Sequence, residues 1–363
     1  MGNFDIADLA LQAVAPGNKL LYDDKGLPSV MVYIPKFKLS EVLTGGPDTY
    51  HPAFIINGSV VDGIWIGKYQ ATIEEGRAYS LPGKDPAATI NFDNFLARCG
   101  AKGAGWHMMT AAEWGMIALW CKKHGIFPKG NNNYGKDSTE SAYTAIPATY
   151  GTGTDAGKIY HVLTGTGPLT WSHDGTMKGI WDLNGNVAEW KGGFRTVKGE
   201  LQFLANNNAA DNSKSQAANS AEWKALDAST GEFVTPNGSG TTTNTVKVDC
   251  ISNKPKYGIT VTTTSENFNG AIHEITCTSD ISSAAKIVLR AYGLLAEDGA
   301  TAADYGDGDR LYFNNVADER MAYGGGYCSI GAYAGVFFSF GFSRTSTSTF
   351  IGLRVAYADL PTA

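Results

Sequence analysis

The sequence predicts an α+β fold with few helices, short strands and long loops. Three observations predict it. Glycine supplies 44 of the 363 residues, about 12% against a usual ~7%, so turns are numerous. Helix signals are few, and the best of them mark TAAEWGMIALWCKKHG (110–125). Apolar runs elsewhere are short and are broken by Asn-Gly, by proline and by Ser/Thr/Asn clusters. Apolar residues make up 43% and charged residues 18%, the balance of a folded globular chain. A net charge of −6 argues against nucleic acid or an anionic membrane as partner.

In chain order, residues 1–28 read as a polar leader with one apolar patch from Leu9 to Val14, ahead of a domain spanning 29–363. The leader has no basic residue before Lys19 and no apolar run of secretory type, so no signal peptide is expected. Gly2 is followed by Ile6 where a myristoylation motif wants Ser or Thr. No apolar stretch is long enough for a membrane span, and no membrane insertion is expected. SVMVYIPKFKL (29–39) alternates Val32, Ile34, Phe37 and Leu39 and reads as a strand. FIINGSVVDGIWIGKYQA (54–71) reads as two strands turned at Asn57-Gly58. Asn91 caps a short helix that buries Phe92, Phe95, Leu96 and Cys99 and stops at Gly100.

In the 110–125 helix, Thr110 and Glu113 have capping-box spacing, which outweighs an acid/base role for Glu113. Trp114, Ile117, Ala118 and Cys121 form its buried stripe. Lys122, Lys123 and His124 complement the dipole, and Gly125 ends the helix. Residues 130–179 are Asn-, Gly- and Thr-rich loop. GIWDLNGNVAEW (179–190) is a tight turn between tryptophans, and GELQFLANN (199–207) a strand. Residues 208–285 are polar with short β-branched runs and read as a β-rich insertion. The core resumes at KIVLRAYGLL, followed by the acidic loop DYGDGDRLYF (304–313), whose Asp304, Asp307 and Asp309 are expected in solvent. Cys99, Cys121, Cys250, Cys277 and Cys328 show no Cys-x-x-Cys spacing and read mostly as buried thiols, with a Cys250–Cys277 pair as the alternative. After Asn315 there is no further Asn, and after Glu319 no Glu, Lys, Gln or His.

Three segments carry a resemblance: GWHMMTAAEWGMIALW (105–120), WDLNGNVAEW (181–190), and YGGGYCS (323–329) with IGLRVAY (351–357). Together they resemble the formylglycine-generating-enzyme branch of the C-type lectin fold. That family's oxidase uses two cysteines after the Gly-Gly motif. Counted from Gly325, their places hold Ser329 and Ala334, while Cys328 stands alone. One displaced thiol does not supply the paired thiolates of a copper-binding oxidase, so no enzyme activity is expected.

Residues 314–360, with GNNNYGK (130–136), more closely resemble the variable proteins of diversity-generating retroelements, in particular phage and viral members. In such systems adenines are randomised, chiefly at Asn codons. The resemblance implies a variable ligand-binding region at 321–354, with varied positions Tyr327, Ser329, Ile330, Tyr333, Ser339, Gly341, Phe342, Ser346, Ser348 and Phe350. The frame would be Gly331, Ala334, Gly335, Phe337, Arg344, Ile351, Gly352 and Arg354. The register at 338–343 leaves Phe340 able to exchange roles with Ser339 or Gly341. Strand alternation alone would bury Phe338, Phe340 and Phe342 together, and would make Ser346 and Ser348 part of a Ser/Thr edge strand.

Relatives with the DLNGNVAE turn hold calcium at the positions here of Asp182, Gly185, Val187 and Glu189. A turn stapled by hydrogen bonds without metal is the equal alternative, and no cofactor is required by either reading. The resemblance implies a display protein that recognises a protein ligand on a host or other cell surface. Its expected location is the virion, with the cytoplasm as the alternative. An oxidase and a fixed structural virion protein are the competing functions.

Overall fold

The computed structural model describes residues 3–306 and 308–361. Its helix Ala111–His124 begins with the expected reciprocal cap. Thr110 Oγ1 accepts from the Glu113 amide at 3.1 Å, and Glu113 Oε2 accepts from the Thr110 amide at 2.9 Å. Gly125, at φ 65°, closes it in the left-handed region. Burial goes beyond one stripe, because every residue from Ala111 to Leu119 is buried. The helix packs against the strands Ala188–Val197 and Gly335–Phe342 and the helix Ser283–Ala291. A helix enclosed on all sides loses its polar face. Glu113 is satisfied inside by His107 Nε2 at 2.7 Å and Asn207 Nδ2 at 2.9 Å.

Asn57-Gly58 turns a short hairpin, with Ile55–Ile56 paired to Ser59–Val60 and both turn residues at positive φ. Asn91 caps the helix Phe92–Gly100, which runs through Gly100 rather than stopping before it. The strand expected over 29–39 is Pro28–Pro35. Leu39 instead opens the one-turn helix Leu39–Val42, since Pro35 cannot donate to a ladder.

Among the described residues there are two large sheets. One has five strands in the order Asn18–Tyr22, Pro28–Pro35, Gly63–Gly67, Val355–Tyr357, Trp106–Met108. Residues 18–22, part of the stretch set apart as a leader, are thus an edge strand paired antiparallel to 28–32. They follow the helix Asn3–Val14. The other sheet has twelve strands. Its path runs Phe268–Ala271, Arg310–Phe313, Gly335–Phe342, Arg320–Gly325, Ala188–Val197, Glu200–Leu204 and Lys247–Ile251, then on to Lys254–Gly258 and Thr276–Cys277. Residues 208–285 are β-rich, and their strands belong to the same sheet as Ala188–Val197 and Arg320–Gly325, whereas Trp106–Met108 and Val355–Tyr357 lie in the five-stranded one. All five cysteines are free thiols, so Cys250 and Cys277 are not bridged.

Two cores flank the larger sheet. Phe337 joins the core around the Ala111–His124 helix. Phe338 joins the other, with Trp190, Trp223, Phe92 and Tyr323.

Candidate functional site

Strands Arg320–Gly325 and Gly335–Phe342 pair antiparallel, placing Met321 opposite Phe342, Tyr323 opposite Phe340 and Gly324 opposite Ser339. Alternation sends Phe338, Phe340 and Phe342 to one side. Their burial is graded: Phe338 is fully enclosed, while Phe340 and Phe342 are half-buried. The buried Tyr323 ring anchors the group. Phe340 stacks on it at 5.3 Å and 13°, and Phe342 meets it edge-on at 6.4 Å. Tyr312 flanks Phe340 at 5.2 Å.

Of the sequence-predicted varied positions, Ser329 and Tyr333 are exposed. Tyr327, Ile330, Gly341, Phe342, Ser346, Ser348 and Phe350 are half-buried. Tyr327, Ile330, Phe340 and Phe342 pack on one core cluster, and Phe350 stacks on Tyr327 at 5.1 Å and 21°. Tyr333 lies beneath the Arg310 guanidinium at 4.4 Å.

Two positions depart from this face. Ser339 is buried, and its hydroxyl accepts from Lys191 Nζ at 3.0 Å. It lies on the Phe337 side of the strand, so Phe340 takes the place expected of Ser339. Gly341 also points to that side, where an added Cβ would come within 2.9 Å of Arg320 Cβ. Ser346 and Ser348 lie in irregular backbone between turns at 344–345 and 349–350, and the alternative Ser/Thr edge strand does not form.

The backbone of the segment is held from outside it. The carbonyls of Arg344, Ser348 and Phe350 accept from the amides of Phe92 (3.2 Å), Thr89 (2.9 Å) and Ala188 (2.8 Å). The Thr349 carbonyl meets the His161 ring at 2.7 Å. Gly331 donates to Asn132 O at 2.9 Å, and Cys328 O accepts from the Tyr134 amide at 2.6 Å. The expected frame residues Ala334, Gly335, Phe337, Ile351, Gly352 and Arg354 are buried. Gly331 and Arg344 are half-buried, with Arg344 forked onto Glu319 at 2.8 and 3.0 Å.

Sequence reasoning missed the aromatic residues that extend the face from outside 321–354. Tyr160 lies 4.9 Å from Phe350 and 6.3 Å from Tyr134. Tyr134 was within reach, as part of GNNNYGK, but nothing local marks Tyr160 or Tyr312. Asp309, expected in solvent, is buried and accepts from the Phe337 amide at 2.5 Å; burial pushes its pKa up. Asp307 lies outside the described residues. Cys328 is buried, and burial pushes its thiol up to about 12.

The DLNGNVAE turn does converge on a centre, but a side chain fills it. Nε2 of the buried Gln70 lies 2.7 Å from Val187 O and 3.1 Å from Asp182 O. It is also 3.1 Å from Glu189 Oε1 and 3.3 Å from Gly185 O. Asp182 contributes its carbonyl there, not its carboxylate. Its Oδ2 accepts from the Gly165 amide at 2.9 Å, its Oδ1 has no hydrogen-bond partner among the described residues, and burial raises its pKa to about 6. The donor set therefore does not fit a calcium ion while Gln70 is in place. Among the described residues no cluster of three or more His, Cys, Asp or Glu is placed to hold a metal. No helix there is long and apolar enough to cross a membrane.

No protein-family model matches the chain. No curated protein matches it either. Among solved structures it is similar to that of PvdO from Pseudomonas aeruginosa, with TM-score 0.35 and 12% identity over 93% of this chain and 97% of that one. It is also similar to Treponema denticola variable protein 1, with TM-score 0.33 and 11% identity over 94% of this chain and 99% of that one.

Proposed function

We propose that this chain is a ligand-binding display protein with a C-type lectin fold of the formylglycine-generating-enzyme type. Residues 321–354 carry its recognition face, varied by a retroelement, and the chain serves as a receptor-binding protein on a virion. One observation carries the reading: the backbone of 328–350 is fixed by groups outside the segment, while most expected varied side chains are exposed or half-exposed. Substitution at an exposed site costs within about ±0.5 kcal/mol, so such a surface can change without unfolding its support. Tyr327, Tyr333, Phe342 and Phe350 supply contact area at low entropic cost, with serines between them, the composition that suits a protein ligand.

The same reading makes the chain a binder rather than an oxidase. The lone thiol of Cys328 is enclosed and held protonated, whereas the oxidase chemistry needs two reactive thiolates. Incubation with copper and a cysteine-containing peptide is expected to give no formylglycine. Sequencing of the source locus tests the diversification itself. A reverse-transcriptase gene and a near-copy of the codons for 320–355, differing almost wholly at adenines, should lie nearby. A locus without such a copy ends the proposal.

A further inference from the structure

The cradle around Gln70 is left unused by the ligand-binding reading. Its four contacts, at 2.7–3.3 Å, are hydrogen-bond lengths, whereas oxygens around calcium stand at about 2.3–2.6 Å. The amide can take only one orientation. Gln70 Oε1 accepts from Asn186 Nδ2 at 2.9 Å, and a flipped amide would set oxygen against four acceptors. Asn186 is itself fixed. Its Nδ2 also donates to Val162 O at 3.1 Å, and its Oδ1 accepts from the Val162 amide at 2.8 Å and from Asn131 Nδ2 at 3.1 Å.

Charge points the same way. The buried Glu189 carboxylate already has a counter-ion in Arg354, bonded at 2.7 and 2.9 Å. A neutral donor such as the Gln70 amide leaves that pair balanced, whereas a dication beside Arg354 would add buried positive charge.

We propose that Gln70 is a built-in replacement for a divalent cation. Its NH2 group gathers the carbonyls of Asp182, Gly185 and Val187 and the Glu189 carboxylate. The cradle is closed to metal in the native chain and becomes a calcium site when residue 70 is a carboxylate. In Gln70→Glu, the donor is replaced by an anion facing four oxygens. A proton on one carboxyl or a cation must then join these oxygens, and an all-oxygen set suits calcium.

The test uses the full chain. In the native protein, EDTA and millimolar calcium chloride are both expected to leave Tm unmoved, and elemental analysis of the purified chain is expected to find substoichiometric calcium. Gln70→Glu is expected to melt lower in EDTA and to regain about 2–4 °C or more in calcium, with one ion bound per chain by calorimetry. A native Tm that falls in EDTA, or one calcium per purified chain, overturns the proposal. So does a folded Gln70→Glu that ignores calcium. If that variant does not fold, the native measurements still decide whether the amide has displaced the metal. Neither arm depends on ligand binding at 321–354, so either idea can fail without the other.

Discussion

Arg354 forks onto Glu189, with Nε 2.9 Å from Oε2 and Nη2 2.7 Å from Oε1. Both side chains are buried, and Arg354 also donates to the carbonyls of Gly67 and Trp181. Through this pair the turn at 181–190 and the C-terminal IGLRVAY are fastened to the smaller sheet. Glu189→Ala is expected to cost about 3–5 kcal/mol in urea unfolding, because it strands a buried guanidinium. The double variant Glu189→Ala/Arg354→Met should recover part of that loss and, with the Arg354→Met single variant, gives a coupling energy in a double-mutant cycle. Additive losses would mean the two residues act separately.

Ser339 and Ser329 should respond oppositely to the same change. Ser339→Tyr forces a ring into the packed space by Lys191 and is expected to cost about 1–3 kcal/mol. Ser329→Tyr and Tyr333→Ser, at exposed positions, should stay within about 0.5 kcal/mol. Equal tolerance at 329 and 339 in a stability-sorted library would refute the division between an outward Ser329 and an inward Ser339.

Lys191 makes stability depend on pH. It is buried with only the Ser339 hydroxyl and the Trp114 face as described partners, and burial pushes its ammonium down to about 7. In the unfolded chain the group titrates near ~10.4. Between these values the unfolded state binds the extra proton, so native stability rises with pH across that window. Below it, the charged form is buried at a cost. Lys191→Met should therefore be more stable than the native chain by about 1–4 kcal/mol at pH 6, with the advantage shrinking towards pH 10. A difference that stays constant with pH would contradict this.

Thiol labelling gives a separate check on the binder reading. Cys277 is half-buried and its thiol is pushed up to about 11, whereas Cys328 is enclosed and pushed up to about 12. A disulfide reagent should modify Cys277 first and reach Cys328 only on unfolding. Rapid modification of Cys328 in the native protein would contradict its enclosure.

Signals that act within a few residues were legible in the sequence. The Thr110–Glu113 cap, the Asn57-Gly58 turn and the Asn91 cap each depend on neighbours in the chain. Contacts set by strand pairing were not. Ser339 is buried because pairing sets it opposite Gly324 and beside Lys191, 148 residues away. Gln70 reaches the turn across more than 110 residues, so no local pattern announces that it replaces a cation. Residues 208–285 read as a β-rich insertion because their composition is polar. Yet hydrogen bonding in a ladder belongs to the backbone, and their strands enter the sheet regardless. Tyr160 had no signal at all, since its place beside Phe350 is a purely tertiary fact.

The strand Gly335–Phe342 is an interior strand, paired to Arg320–Gly325 on one side and to Arg310–Phe313 on the other. It is therefore not an edge strand of the sheet. A population of such proteins could carry Phe, Ile or Tyr at its outward positions without presenting a bare edge on which copies would polymerise. On the proposed function, colloidal safety of a repertoire is then a property of where this strand sits, not of which residues any one member happens to carry.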